Sequence, residues 1–310
     1  MVANASTAAR ANRGRGSVAY RRAIPYLLSL PALLVTIGVL IPFVTAVVYS
    51  LQRYNLAFPQ GRAYIWFDNY LQLAMSADFW HTVAVTLIYT LATVGVEMVL
   101  GLAVALLLQK RTVINDVMSV ALVLPLMVAP AIASLMWKLM TNTQFGIMNY
   151  LLTVVGIQHF GWATDPNTAM FTVVLVDVWV FTPFFSILLL AGLRGLPSGP
   201  FEAAELDGVP RSFVFFRVTL PMLMPYILTA ALFRMFDSIQ QFDIPYAMTQ
   251  GGPGDALMVF QVRAYLEAFT YTNLGKSAAI LMVLWAITYF LSQVMIKRWL
   301  AMREKAHGAA

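Results

Sequence analysis

Glu202-Ala203-Ala204-Glu205-Leu206-Asp207-Gly208, followed by Leu220-Pro221 and Pro225, lies between two long apolar runs of a 310-residue chain, one closing at Arg194 and the next opening near Met222. A connector between apolar segments needs only a few residues, and this one is longer and carries its own punctuation. Ala203 and Ala204 give a short helix a smooth face that a second surface can approach closely. Ser198 stands at the N-cap position of that helix, and Glu202 falls in its first turn, where a negative charge meets the positive end of the helix dipole. Gly208 provides the exit, because glycine takes positive φ at no steric cost. On these physical grounds alone the stretch is a capped surface helix, as readily a plain connector as a docking element.

The rest of the composition demands a membrane. Hydrophobic residues make up 60% of the chain and charged residues 11%, with a mean hydropathy of +0.74. A soluble domain carries roughly a quarter of its residues charged. A hydrocarbon core about 30 Å thick needs about 20 apolar residues per helix. Six stretches satisfy this: Ile24 to Tyr49, Thr82 to Leu108, Val117 to Trp137, Ala169 to Leu193, Met222 to Pro245 and Ser277 to Ile296. The apolar segment Gly146 to Ile157 is too short to span and reads as an interfacial or pore-mouth helix. The expected architecture is therefore an all-α integral membrane protein with both termini on one side.

Arginine and lysine set the orientation. Of the 20 basic residues, fourteen fall at the termini and in one set of loops: Arg10 to Arg22, Lys110, Arg111, Arg194, Arg211, Arg217, and Lys297 to Lys305. Four lie opposite, Arg53, Arg62, Arg263 and Lys276, and the long loop from Thr141 to Thr168 has none. Both termini and the Glu202 loop are thus expected in the cytoplasm of a multi-pass protein of the inner (cytoplasmic) membrane. The net charge of +6 is accounted for by this asymmetry and implies no nucleic acid. Residues 1–23 read as a disordered cytoplasmic tail, 24–300 as one transmembrane domain with its cytoplasmic loop at about 195–221, and 301–310 as a second cytoplasmic tail.

With that orientation expected, the Glu202 stretch resembles the coupling-loop signature of binding-protein-dependent ABC importer permeases, in which Glu-Ala-Ala is followed, after three intervening residues, by Gly and, further on, by Leu-Pro. Its fuller form, with Asp207 before Gly208 and Pro225 after Leu220-Pro221, resembles the carbohydrate branch, of maltose and trehalose type. Val209 and Pro210 depart from the usual residues. Thr249-Gln250-Gly251-Gly252-Pro253-Gly254, with Tyr265, Phe269 and Gly275 beyond it, is similar to the glycine-rich element after the fifth helix of the same branch. The resemblance implies the type I, maltose-permease-like fold of six helices. It implies that Glu202, Ala203, Ala204, Asp207 and Gly208 dock into a partner ATPase, which holds ATP and Mg, while this chain binds no cofactor and catalyses nothing. It further implies a second homologous permease, two ATPase subunits and an extracytoplasmic sugar-binding (lipo)protein that meets Gly251, Gly252 and Pro253. Ser50 to Asn55 and the run around Phe233-Arg234 resemble trehalose- and maltose-type permeases without fixing a substrate.

Ionisable residues within spans cost free energy unless paired or wetted. They are Glu97, Asp177, Arg234, Asp237 and Asp243. Arg234 and Asp237, one turn apart, pair locally, and Ser238, Gln240 and Gln241 extend them into a polar stripe on the fifth span. Either the stripe is a buried ion pair holding the bundle, or it lines a wet cavity and hydrogen-bonds a solute. Asp177 with Trp179 and Phe181 offers a carboxylate beside aromatic faces, a combination that suits a sugar, although packing roles suit the rings as well. Glu97, Asp177 and Asp237 would alternatively serve a proton-coupled secondary transporter, and a membrane scaffold is a third class. Gly275-Lys276-Ser277 imitates a phosphate loop but has Thr270 where a glycine is required. His81, His159 and His307 lack ligand spacing, so no metal site is expected, and the absence of cysteine excludes disulfide and thiolate chemistry.

Overall fold

The computed structural model describes residues 28–308; the expected tail at residues 1–23 and the last two residues lie outside them. Helix α1 (Leu28–Ser50) leads into a two-stranded antiparallel ribbon, β1 (Gln52–Arg53) with β2 (Ala63–Tyr64), and a short helix α2 (Asp68–Met75). The long α3 (Ala77–Leu108) follows, then α4 (Val113–Ala121), α5 (Leu124–Met127), α6 (Pro130–Met140), α7 (Ile147–Val154) and α8 (Pro166–Arg194). Helix α9 (Gly199–Leu206) and α10 (Arg211–Val214) connect through a π-helical turn, Phe215–Thr219, to α11 (Leu220–Ile239). The chain ends with α12 (Asp243–Thr249), α13 (Phe260–Tyr265) and α14 (Leu274–Gly308).

Among the described residues five helices are long and apolar enough to cross a membrane, and a sixth crossing exists if the pair Val113–Met127 and Pro130–Met140 counts as one span. That pair is bent by 91°, so the continuous helix expected over Val117 to Trp137 is corrected to two segments meeting at a sharp break. The cause is local. Ala129 precedes Pro130 and is driven to extended backbone, with ψ 130, because the proline ring disfavours helical geometry in the residue before it. The fifth span is also corrected. Its helical segment begins at Arg211 and ends at Ile239, leaving Gln240 and Gln241 in a break and placing Asp243 at the start of α12. The π turn precedes Pro221, whose missing N–H would orphan a carbonyl one turn earlier in a regular helix. At the other end of the chain the helix of the last span runs on to Gly308, through most of the expected tail segment.

The core is a three-helix contact of α3, α8 and α11. Val94, Ala105, Phe185, Leu189, Leu223, Ile227 and Ala230 are buried together in it. Lipid tails are as apolar as leucine, so membrane helices associate through close backbone approach, which small residues permit. Gly101 on α3 meets α8 so closely that a Cβ there would overlap the Phe185 Cβ and stand 3.1 Å from the Ser186 backbone nitrogen. Gly192 on α8 does the same for α11, where a Cβ would lie 2.7 Å from the Tyr226 ring. Helix α1 stands largely apart, its most apolar stretch unburied. It touches the bundle where Phe43 meets Trp285, with ring centroids 5.4 Å apart. Gly101→Val is expected to destabilise the protein by about 1–3 kcal/mol through overpacking, read as a lowered thermal midpoint of the detergent-solubilised chain.

Candidate functional site

At the end of the bundle where α8 and α11 are joined, α9 carries the Glu202 stretch as an exposed two-turn helix. Glu202 lies in its first turn and Pro200 near its start. The structure corrects the role of Ser198: it occupies the N-cap position, but with helical backbone (φ −74, ψ −30) and no capping by its hydroxyl. Its carbonyl instead accepts from the Phe201 and Glu202 N–H groups at 2.9 and 3.0 Å. Gly208 has φ +64, and the Val209 N–H returns to the Ala204 carbonyl at 3.1 Å, closing the helix through a left-handed residue. Glu202, Ala203 and Asp207 are exposed and Ala204 is half-buried. Leu206 is 89% exposed, and Phe213 and Phe216 add further apolar surface nearby in sequence. Arg194, at the foot of α8, ties this end to the core by donating to the Leu108 carbonyl and to Asp116, each at 3.0 Å.

Midway along the bundle, Arg234 of α11 joins three helices. Its Nε donates to Glu97 Oε2 at 2.8 Å and its Nη2 to Glu97 Oε1 at 3.1 Å, both on α3. Nη2 also pairs with Asp177 Oδ2 on α8, and Nη1 reaches Asp237 Oδ2 at 2.8 Å one turn along α11. The Phe181 ring lies 3.9 Å from the guanidinium carbon, a cation–π arrangement. Arg234 is 2% exposed, Glu97 and Asp177 not at all, and the Asp237 side chain 56%. The local Arg234–Asp237 pair expected from spacing is present, but it is the outermost edge of a larger cluster. Asp177 and Trp179 do not form one platform: Asp177 turns into the cluster, whereas Trp179 is 37% exposed and packs edge-on against Trp137 at 5.9 Å. Residues two apart on a helix face different ways.

Beyond Ile239 the two glutamines part. Gln240 is exposed and its Nε2 donates to the Phe236 carbonyl at 3.3 Å; Gln241 is 8% exposed, with its Nε2 lacking a hydrogen bond. Gln240 lines two neighbouring cavities, of about 780 and 460 Å³. The larger is walled by Tyr49, Phe242, Tyr265 and Phe269, the smaller by Phe236, Trp285 and Tyr289, and Gln261 of α13 borders both. Phe242, Tyr246, Tyr265 and Phe269 form a run of rings with centroids 4.8 to 5.1 Å apart. Gln261 is not among the sequence candidates, because it falls between the expected fifth and sixth spans; its signal is an amide flanked by Phe260 and Val262 just after the glycine turn.

In that turn Gly251 has φ +93, and a Cβ on it would lie 2.9 Å from Met258 Cε. Gly251 is buried while Gly252 and Pro253 are half-exposed. His81 Nε2 lies 2.9 Å from the Asp255 carbonyl and fastens the turn to α3. Gly275-Lys276-Ser277 cradles no phosphate. Lys276 pairs with Glu267 at 2.6 Å, Ser277 donates to the Ala264 carbonyl at 2.7 Å, and the Gly275 N–H donates to the Tyr54 carbonyl at 3.1 Å. Among the described residues no group of three His, Cys, Asp or Glu is placed to hold a metal ion.

Residues 97–301 match the model of the family described as binding-protein-dependent transport system inner membrane component. The chain belongs to that family. It is 35% identical over 258 residues to the trehalose/maltose transport system permease protein of Thermococcus litoralis, covering 83% of this chain and 86% of that protein. It is 32% identical to the trehalose transport system permease protein of Mycobacterium tuberculosis (strain H37Rv), covering 91% and 90%. Its fold is that of a chain of a bacterial ABC transporter for the acidic polysaccharide alginate, with a TM-score of 0.73 at 19% identity over 94% of this chain and 98% of that one. The protein is thus the membrane-spanning permease subunit of an ABC importer of type I fold, and it is not an enzyme, the ATPase being a separate subunit. The proton-coupled transporter and scaffold readings fall away with that assignment.

For this permease, Arg234→Leu leaves Glu97 and Asp177 buried without a counter-charge and is expected to cost about 3–5 kcal/mol. Asp237→Asn, at the wetted edge, should cost about 0–1 kcal/mol. Thermal midpoints of the two purified variants in detergent check the contrast.

Proposed function

We propose that this permease carries a neutral sugar of about disaccharide size, and that its solute path passes the cavities framed by Gln240 and Gln261. The carrying observation is that two uncharged amides border both cavities beside a run of aromatic rings. Amides donate and accept hydrogen bonds with hydroxyls, and the C–H faces of a pyranose pack on rings. The two relatives named above carry trehalose or maltose in their descriptions, which supports the same class here. On this reading Asp237, the exposed carboxylate one turn before Gln240, and the partly exposed Trp179 also meet the solute, although neither borders the two cavities. Arg234, Asp177 and Gln241 are buried in the conformation described and support the path from behind.

Glu202, Ala203, Ala204, Asp207 and Gly208 on this reading dock in a cleft of a cytoplasmic ATPase, which binds ATP and Mg. The basic loops support that orientation, with both termini in the cytoplasm. A second homologous permease and a pair of ATPase subunits complete the membrane complex, and an extracytoplasmic binding protein delivers the sugar at the Gly251-Gly252-Pro253 turn. Closure of the ATPase dimer moves α9 and switches the cavity between outward and inward access.

Uptake into proteoliposomes of the reconstituted complex, competed with a panel of labelled sugars, tests the substrate class; indifference to every neutral disaccharide overturns it. Gln240→Ala is expected to raise the KM for uptake about tenfold, the worth of one hydrogen bond, with ATPase docking retained. Ala204→Cys should crosslink to the ATPase subunit, and transport that persists with no such crosslink under any condition refutes the docking role.

A further inference from the structure

Helix α8 leads through the short turn 195–198 into α9, and α9 leads through α10 and the π turn into α11. These two helices are the arms that leave the docking element, so a displacement of α9 reaches the Gln240 end only through them and through α3, against which both pack. Arms that merely touch through apolar side chains would slide on each other when one end is pushed. Arg234 opposes sliding against two neighbours at once, toward Glu97 on α3 and Asp177 on α8, while Asp237 on its own helix holds the guanidinium in place. Only a planar guanidinium holds that many fixed directions; an ammonium is a single point charge. The Phe181 ring under the guanidinium adds a second tie to α8. Beside the cluster, Thr93 Oγ1 and Ser238 Oγ bridge α3 and α11 at 2.9 Å, both buried. Displacement of one helix past another would strand a buried charge, which the interior of the bundle tolerates badly.

We infer that Arg234 is a positioning residue for transport, locking α3, α8 and α11 into one lever that carries the motion of α9 to the Gln240 end. The inference rests on the docking role proposed above for α9. Arg234 acts through its partners, without contact with the solute.

The chain has no cysteine, so a Thr93→Cys/Ser238→Cys pair can be oxidised without side reactions within it, at a contact where the two hydroxyls lie 2.9 Å apart. In the reconstituted complex the oxidised pair should transport at nearly the rate of the same pair after reduction, because α3 and α11 keep their register throughout the cycle. Arrest on oxidation that reductant reverses overturns the inference. Arg234→Lys keeps the charge balance but loses the fork; it should lower sugar transported per ATP hydrolysed about tenfold while binding-protein-stimulated ATP hydrolysis continues. An assembled Arg234→Lys complex with an unchanged ratio also overturns it. Should that variant fail to assemble, the cysteine pair decides alone. Loss of the Ala204 crosslink would remove the docking role of α9, whereas the cysteine pair reports the shared motion of α3 and α11 independently of it.

Discussion

A guanidinium buried among three carboxylates, on three helices of a lipid-embedded bundle, is the interaction from which the rest of this structure is best understood. Apolar helices in a bilayer have little reason to prefer one register over another, since lipid satisfies a leucine as well as another helix does. Gly101 and Gly192 let α3, α8 and α11 approach closely, but small residues alone permit several offsets. Charges do not. Glu97 and Asp177 have no access to water and each requires Arg234, so one relative placement of the three helices satisfies all of them. The cluster therefore buys specificity of arrangement more than stability, which is the role for which buried ion pairs are best attested. That placement in turn fixes where α11 ends and hence where Gln240 and Gln241 stand.

Much of this was legible in the chain beforehand, and the limits have physical causes. Spans are readable because a bilayer forces each crossing to satisfy its own backbone and to stay apolar for about 20 residues. The break at Val128 and Ala129 was hidden because hydropathy is blind to direction; an apolar run of the right length scores alike straight or bent. Pro130 was the available warning. The fifth span was extended to Pro245 for the same reason, since Phe242, Ile244 and Pro245 sustain the apolar average past the amides that mark its end. Spacing rules found Arg234 with Asp237 because those partners share a helix. Glu97 and Asp177 lie 137 and 57 residues away, beyond any local rule, although each had been singled out as a charge needing a partner. Helix α9 was the most legible element, because its constraints are local: an acid in the first turn, small residues on the face, and Gly208 at positive φ.

The two ends of α11 divide the work, and they differ in how much they specify. The α9 end presents an exposed two-turn helix of set shape, which suits the joint proposed for it. The Gln240 end presents amides and rings, groups that accept almost any arrangement of hydroxyls on a ring-shaped solute. An amide donates and accepts with equal ease, and aromatic faces read C–H surfaces without regard to most stereocentres. Such a surface separates neutral sugars from charged solutes more sharply than it separates one disaccharide from another. The larger cavity is also open, with the otherwise unburied α1 forming one of its walls, whereas a tightly selecting site buries most of its ligand. A path of this kind is completed by another surface, and the proposed second permease supplies it. On the proposed function, selection then rests on what the binding protein delivers, and this chain contributes passage and coupling.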